Sequence, residues 1–359
     1  MTRRGGAGRA PALLALGLAA LAVACAERRP PPGGPVDDVA PMVIAVEPAD
    51  GALGVAPGTP IRITFSEEMN RKSVERALRL APNAERAERA WDGNALIVTA
   101  PPDAPAGPRG ERVVSLLRIA EDERGNRLVE PLEIAFTSGD SLPDGEIEGR
   151  LAGGPADPRA RLLLFRAPGP APDSLPAATP LREISASTDG AFRFRHLGVG
   201  GGDTLALFAL AQPEVRPSLD AKRDRVAFGP DTLVLSAAAP RLAGISLTLV
   251  KPDAPGAWGG RSPEIPAGAT VLLRSVSDSA SVLDVEVDST GSFLIDSVPP
   301  GTYRTRLRDP EGASESPMPG FPETLRVRPG ERILPPAADT LAAAARDTSS
   351  ADEPEKREP

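Results

Sequence analysis

Apolar residues recur along this chain in short bursts, often alternating with polar ones, and Gly, Pro, Asp or Asn punctuate the gaps. Ile61, Ile63 and Phe65 alternate with Arg62 and Thr64, the period of a half-buried strand. Met42–Val46, Arg112–Leu117 and Leu132–Phe136 read as further strands, with a tight turn at Asp122–Asn126. Trp91 to Val98 reads as a hairpin turning at Asp92-Gly93-Asn94. Between these strands Ser73–Leu78 predicts one or two helical turns with Ser73 as cap. Beyond residue 140 the pattern becomes a repeat. Arg161–Phe165 and Ala269–Arg274 each predict a strand, and a turn with Gly-x-Phe follows each, at Gly190-Ala-Phe192 and Gly291-Ser-Phe293. Gly145–Gly149, Asp203–Phe208, Leu283–Val287 and Val298–Leu307 complete two similar sets. The fold class this predicts is all-β: tandem β-sandwiches with short connections.

The first 25 residues have a different pattern. Arg3, Arg4 and Arg9 precede an uncharged run from Pro11 to Ala24, and Cys25 follows. The run has the length of a signal-peptide core and is shorter than the roughly 20 residues that span a bilayer. Leu21-Ala-Val-Ala-Cys25 resembles the bacterial lipobox, although its Leu lies one position further from the Cys than is usual. That resemblance implies cleavage after Ala24 and acylation of Cys25, the chain's single cysteine. Cleavage after the small-x-small triplet Ala22-Val-Ala24 as an ordinary secretion signal is the alternative. Ala26 in place of Asp leans toward the outer membrane. The predicted organisation is a signal peptide at 1–24, a proline-rich linker at 25–38, sandwiches at 39–139, 143–250 and 251–336, and a disordered acidic tail at 337–359.

Two resemblances sharpen the sandwiches. Ile61–Phe65 followed by Ser66-Glu-Glu-Met-Asn70, then Trp91-Asp-Gly93, Asp122-Glu-Arg-Gly-Asn126 and Phe136-Thr-Ser-Gly139, is similar to the bacterial Ig-like domain of surface-layer proteins. It implies an immunoglobulin-like sandwich and no activity. The order strand, Gly291-x-Phe293, Val298-Pro-Pro-Gly301-x-Tyr303, strand resembles the carboxypeptidase regulatory-like, transthyretin-like sandwich. The segment 143–250 follows it loosely, with insertions at Pro168–Pro180 and Gln212–Pro230.

Composition limits the chemistry. Aromatics make up 3% of the 359 residues, so the cores must be mainly aliphatic, and a single Cys permits no internal disulfide. The formal net charge is −8, and losing the basic leader makes the rest more acidic. No basic cluster stands out, which argues against nucleic acid as a partner. His196 is the only histidine, too few for a zinc site, and no Gly-x-Ser-x-Gly elbow supports a hydrolase built around it. Gly198–Gly202 reads as a flexible turn and not a phosphate loop. Glu67, Glu68, Asp92 and Asp122 read as turn and surface acids and not as a calcium site. Trp91 and Trp258 read as a core and a loop residue. The expected function is a non-enzymatic, lipid-anchored cell-envelope protein without cofactors or metals, held to the membrane through acyl chains on Cys25 and meeting an envelope protein or glycan. The alternatives are a carbohydrate-binding lipoprotein using Trp258, Tyr303 or the insertions, and a hydrolase centred on His196.

Overall fold

The computed structural model describes residues 37–334, apart from 85, 153–156, 199–203, 231 and 279. The leader, Cys25, most of the linker, residues 199–202 and the tail from 337 lie outside the described residues. No helix among the described residues is long and apolar enough to cross a membrane. Among the described residues the regular structure is nearly all β, and the strands form three successive pairs of sheets.

The first pair holds β1 (Val43–Glu47), β2 (Ile61–Phe65), the helix α1 (Arg71–Ala77), β3 (Leu78–Ala81), β4 (Glu88–Asp92), β5 (Ala95–Thr99), β6 (Glu111–Leu116) and β7 (Leu132–Thr137). One sheet runs β1-β2-β5-β4 and the other β3-β6-β7. The alternation in β2 buries Ile61, Ile63 and Phe65 against Leu96, Val98, Val114, Leu116 and Ile134. The cap of α1 is Asn70 and not Ser73, because the Asn70 carboxamide oxygen accepts from the Ser73 N–H at 3.0 Å. Ser73 sits inside the first turn, and its hydroxyl ties the helix to the Ile119–Glu121 loop by donating to the Ile119 carbonyl and accepting from the Glu121 N–H. A residue three positions earlier with an Asx side chain outcompetes a serine that a loop can use.

The second pair holds β8 (Gly145–Ala152), β9 (Ala160–Arg166), β10 (Arg182–Ser185), β11 (Ala191–Leu197), β12 (Thr204–Ala211), β13 (Arg225–Phe228), β14 (Leu233–Val234) and β15 (Arg241–Thr248). The third holds β16 (Gly256–Arg261), β17 (Thr270–Ser275), β18 (Val282–Glu286), β19 (Ser292–Val298), β20 (Gly301–Arg308), β21 (Glu315–Ser316), β22 (Thr324–Val327) and β23 (Arg332–Ile333). Their topologies coincide. In each, the first strand lies between the Gly-x-Phe strand, antiparallel, and the last strand, parallel: β11-β8-β15 and β19-β16-β23. In each, the opposing sheet is built on the next strands in the same order, β10-β9-β12 and β18-β17-β20. The repeated sequence motif is therefore a repeat of chain path.

At the motif itself the same turn is closed with its polar groups exchanged. In the second pair the Ser187 hydroxyl donates to Asp189, which accepts from the Ala191 N–H at 3.0 Å. In the third pair the acid comes first: Asp288 accepts from the Thr290 hydroxyl and from the N–H groups of Thr290 and Ser292. The Ser187 hydroxyl and the Ala191 N–H hold the Asp189 carboxyl at about 2. Gly190 and Gly291 take φ values of +89° and +76°. A Cβ at Gly291 would also collide with the Ser262 carbonyl oxygen, so two separate constraints require glycine there.

The second pair carries an extra layer. β9 and β12 are buried on both faces, as their unbroken apolar runs require. Leu162, Leu164, Leu207 and Ala209 face the opposing sheet. Leu163, Phe165, Phe208 and Leu210 face outward into a second core closed by Leu175 and, at its margin, Leu219. Leu175 belongs to a 3₁₀ helix at Pro172–Ala177, so the two insertions act as covers for an apolar sheet face. The same region is tied to the connector after β15, where Val226 and Val250 exchange backbone hydrogen bonds at 2.8 and 2.9 Å, and it meets the third pair where the Arg328 guanidinium lies 5.7 Å from the Phe228 ring centre.

Two outcomes follow. Gly291→Ala lowers stability by about 2 kcal/mol or more, whereas Gly312→Ala, at φ +73° with open space around it, loses only about 1 kcal/mol; urea unfolding followed by Trp258 emission in a Trp91→Phe background separates the two. Because the folded carboxyl of Asp189 is depressed from its ordinary value of 3.8 to about 2, its contribution is complete above about pH 4 and is lost as pH falls toward 2. Urea midpoints measured across that range fall for the wild type, and this share of the fall is missing in Asp189→Asn.

Candidate functional site

Strand β7 begins at Leu132-Glu133-Ile134, where an acid interrupts an apolar run; Ile134 points into the first core while Glu133 is left facing the second sheet pair. Strand β10 brings Arg182 to it. The two side chains are 13% and 7% exposed, and their charged atoms lie 3.1 Å apart. Burial pulls the Arg182 guanidinium below its ordinary value, and the Glu133 charge opposes that pull. Arg182 Nη1 donates to the Arg195 carbonyl, while its Nε and Nη2 have no hydrogen-bond partner among the described residues. The attraction to Glu133 is thus one of charge and not of aligned hydrogen bonds.

Arg195 closes the other side. Its backbone N–H donates to Glu133 Oε1 at 3.2 Å, its Nη2 to the Glu133 carbonyl at 2.7 Å, and its Nη1 to Asp50 at 2.9 Å. The Thr188 hydroxyl donates to Glu130 at 2.6 Å. On the far side of β10, Glu183 takes Arg79 of the first pair and Arg161 of the second. From Arg161 a chain of polar groups runs through Gln212 to the fully buried Asp224, which Arg216 holds at 2.6 Å. The first sheet pair, the second, and the second insertion are joined by one electrostatic network.

Beside this junction lies a cleft of about 650 Å³. Glu130–Glu133 form one wall, and β8, β10, β11 and β15 form the other. Phe192 and Ile245 reach its floor because Gly149 stands between them; a Cβ there would fall 2.6 Å from the Phe192 ring. Its guanidiniums are matched locally: Arg150 with Asp189, Arg193 with Glu146 and Glu148, and Arg195 with Glu133 and Asp50. The cleft therefore offers an apolar floor with a balanced ionic rim, suited to a partner of mixed character.

The sequence-predicted residues fall elsewhere. His196 lies in the edge strand β11 in a bulge, with φ +56°, and its Nδ1 faces the Pro143 carbonyl at 3.1 Å. Trp258 is 2% exposed in β16, the core residue of the two tryptophans, packed at 4.8 Å against Phe293 and 5.9 Å against Phe321. Tyr303 is 4% exposed and spends its hydroxyl on the Pro299 carbonyl. Neither ring presents a face for a sugar, which removes both from a carbohydrate site. Asp92 pairs with Arg62, and Asp122 accepts from Arg124 and Asn126 in the turn that it closes. Cys25 lies outside the described residues. Sequence reading missed Glu133, Arg182, Glu183 and Arg195. The available signal was Leu181-Arg-Glu-Ile184, a strand-length run in which charges occupy both faces.

Removing one partner of the central pair leaves the other charged and enclosed. Arg182→Met alone is expected to destabilise by about 3–5 kcal/mol, and Arg182→Met with Glu133→Leu to regain most of that loss; a double-mutant cycle in urea checks it.

Among known proteins, residues 37–138 match the family model of a bacterial Ig-like domain. No curated protein matches the chain. Among solved structures it is similar to an L,D-transpeptidase from Mycobacterium smegmatis, at 16% identity over 58% of this chain and 90% of that one, with a TM-score of 0.21. It is similar to native alpha-2-macroglobulin from Escherichia coli spanning domains MG0-NIE-MG1, at 13% identity over 80% and 97%, with a TM-score of 0.20. It is also similar to the major pilin subunit of Bacillus cereus, at 10% identity over 59% and 70%, with a TM-score of 0.18. At such TM-scores these likenesses carry no argument about function.

Proposed function

We propose that this chain, whose residues 37–138 match a bacterial Ig-like domain, is a non-enzymatic, lipid-anchored protein of the bacterial cell envelope that presents surfaces from a scaffold of docked β-sandwiches. The observation that carries the reading is the junction at Glu133 and Arg182. A flexible string of modules has solvated linkers and few contacts across them, whereas here ion pairs and hydrogen bonds cross from the first sheet pair to the second. A scaffold of this kind fixes the cleft beside the junction and holds its two walls at a set spacing. The second and third sheet pairs share one strand order, which supports reading both as carboxypeptidase regulatory-like, transthyretin-like sandwiches.

The anchor is supported by the leader. The basic start, the short apolar run and Cys25 followed by a polar, proline-rich segment place the only thiol where an acyl chain would be attached. More than one acyl chain holds a protein stably, since each buried CH₂ contributes about 0.8 kcal/mol. Ala26 after the cysteine favours the outer membrane. The partner is an envelope protein or a glycan.

Metabolic labelling with a radioactive fatty acid tests the anchor. The wild type is expected to take up label and to fractionate with membranes, and Cys25→Ala to lose both. Equal labelling of the two chains removes the anchor from this reading.

A further inference from the structure

The outward face of the third sheet pair carries an arrangement that the junction and the cleft do not use. Strand β20 points Thr302, Arg304, Arg306 and Arg308 to that face, at successive alternate positions. Across the ladder Arg274 of β17 stands opposite Arg304, and Arg326 of β22 opposite Thr302. From Arg304 to Arg308 the row extends about 14 Å. Five guanidiniums on one face of one sheet are a local inversion of a chain whose formal net charge is −8.

The face already holds one acid of its own. Glu315 lies 2.7 Å from Arg274 and 3.1 Å from Arg308. Since Arg274 is level with Arg304 at one end and Arg308 stands at the other, the Arg274 side chain runs along the face past Arg306 to reach that carboxylate. Glu315 displays the group these guanidiniums accept. Arg304, Arg306 and Arg326 have no acidic partner among the described residues, and Arg306 Nη1 is shut off from solvent with no hydrogen-bond acceptor. Asp284 and Glu286 bound the basic field on the β18 side, opposite Leu272 and Thr270.

We propose that this face binds an acidic glycan through its carboxylate groups. Three observations select that occupant. Thr302 and Thr324 stand exposed between the arginines and offer hydroxyls to a hydroxyl-rich polymer. Of the apolar residues on the face, Leu272 is 1% exposed and only Val276, level with Thr302, reaches solvent, so a single short side chain is all that could enter a lipid interface. Tyr303 is buried on the opposite side of β20, so no ring is offered to stack on a base. The planar guanidinium fork favours a carboxylate held two bonds at a time, and a row of forks favours a polymer that repeats the acid.

The proposal rests on the reading of the chain as a protein that acts through its surfaces, and its test is independent of the lipid anchor. The full chain is passed over immobilised polygalacturonate in a salt gradient, with neutral dextran as the parallel column and phosphatidylglycerol vesicles and poly(dT) as competitors. Retention on polygalacturonate and not on dextran is expected, with elution by moderate salt. Arg304→Ala with Arg326→Ala, both at exposed positions, is expected to weaken binding at least tenfold with an unchanged circular-dichroism melt. Arg86→Ala, at an exposed pair with Asp103 in the first sheet pair, is expected to bind as the wild type does. Absence of retention, equal binding by the double variant, or competition by vesicles or poly(dT) at lower concentration than soluble polygalacturonate overturns the proposal.

Discussion

The contact between Glu133 and Arg182 is the constraint on which the arrangement of this molecule depends. Each residue lies in a strand whose neighbours belong to a separate aliphatic core, and neither core can accept a charge. The two charges neutralise each other only when the sheets that carry them are brought together. Desolvating such a pair consumes much of the attraction it yields, so its value is as a specifier of geometry more than as a source of stability. Arg195 strengthens that specificity with three hydrogen bonds to Glu133 and Asp50. The cleft beside the junction inherits its shape from this pairing.

The middle sheet pair is the centre of the architecture because it is used on every side. One end meets the first pair through charge. Its outer sheet face would expose Leu163, Phe165, Phe208 and Leu210 to water if the insertions were removed, and burying each of those side chains is worth about 1.5–3 kcal/mol. The insertions supply Leu175 and Leu219 as cover, the adjoining β13 holds the connector to the third pair through the Val226–Val250 bridge, and Arg328 of the third pair lies over Phe228. What looks in sequence like departure from a repeat is the material that makes the repeat cohere with its neighbours.

The two related sheet pairs have diverged in a consistent way. The middle one hides both faces of its larger sheet; the last one leaves a face open and covers it with arginines. The core of the last pair is gathered round the trio of Trp258, Phe293 and Phe321, and Gly260 is required beside it because a Cβ would strike the Phe321 ring. A quarter of the chain's few aromatics spent in one place explains how a sandwich this small closes without a disulfide.

Strand identity was legible in the sequence because alternation is a local property: Ile61, Ile63 and Phe65 declare a buried face without reference to any other segment. The Gly-x-Phe turns were legible for the same reason, since positive φ and a hydroxyl-carboxylate pair lie within five residues of each other. The strands that escaped notice, β3, β10, β13 to β16 and β21 to β23, are short or interrupted by glycine, and their partners decide their conformation. Ser73 and Asn70 illustrate the boundary: both residue types can cap a helix, and only the position of the Ile119–Glu121 loop assigns the serine elsewhere. Pairing of Glu133 with Arg182 and alignment of arginines from β17, β20 and β22 were beyond reading. Sequence by itself determined the strands whose apolar residues alternate or run unbroken, and the apolar faces of those strands, because both depend on neighbours in the chain. Tertiary structure alone decided which charges meet, because electrostatic partners are chosen across space by whichever burial leaves them no other.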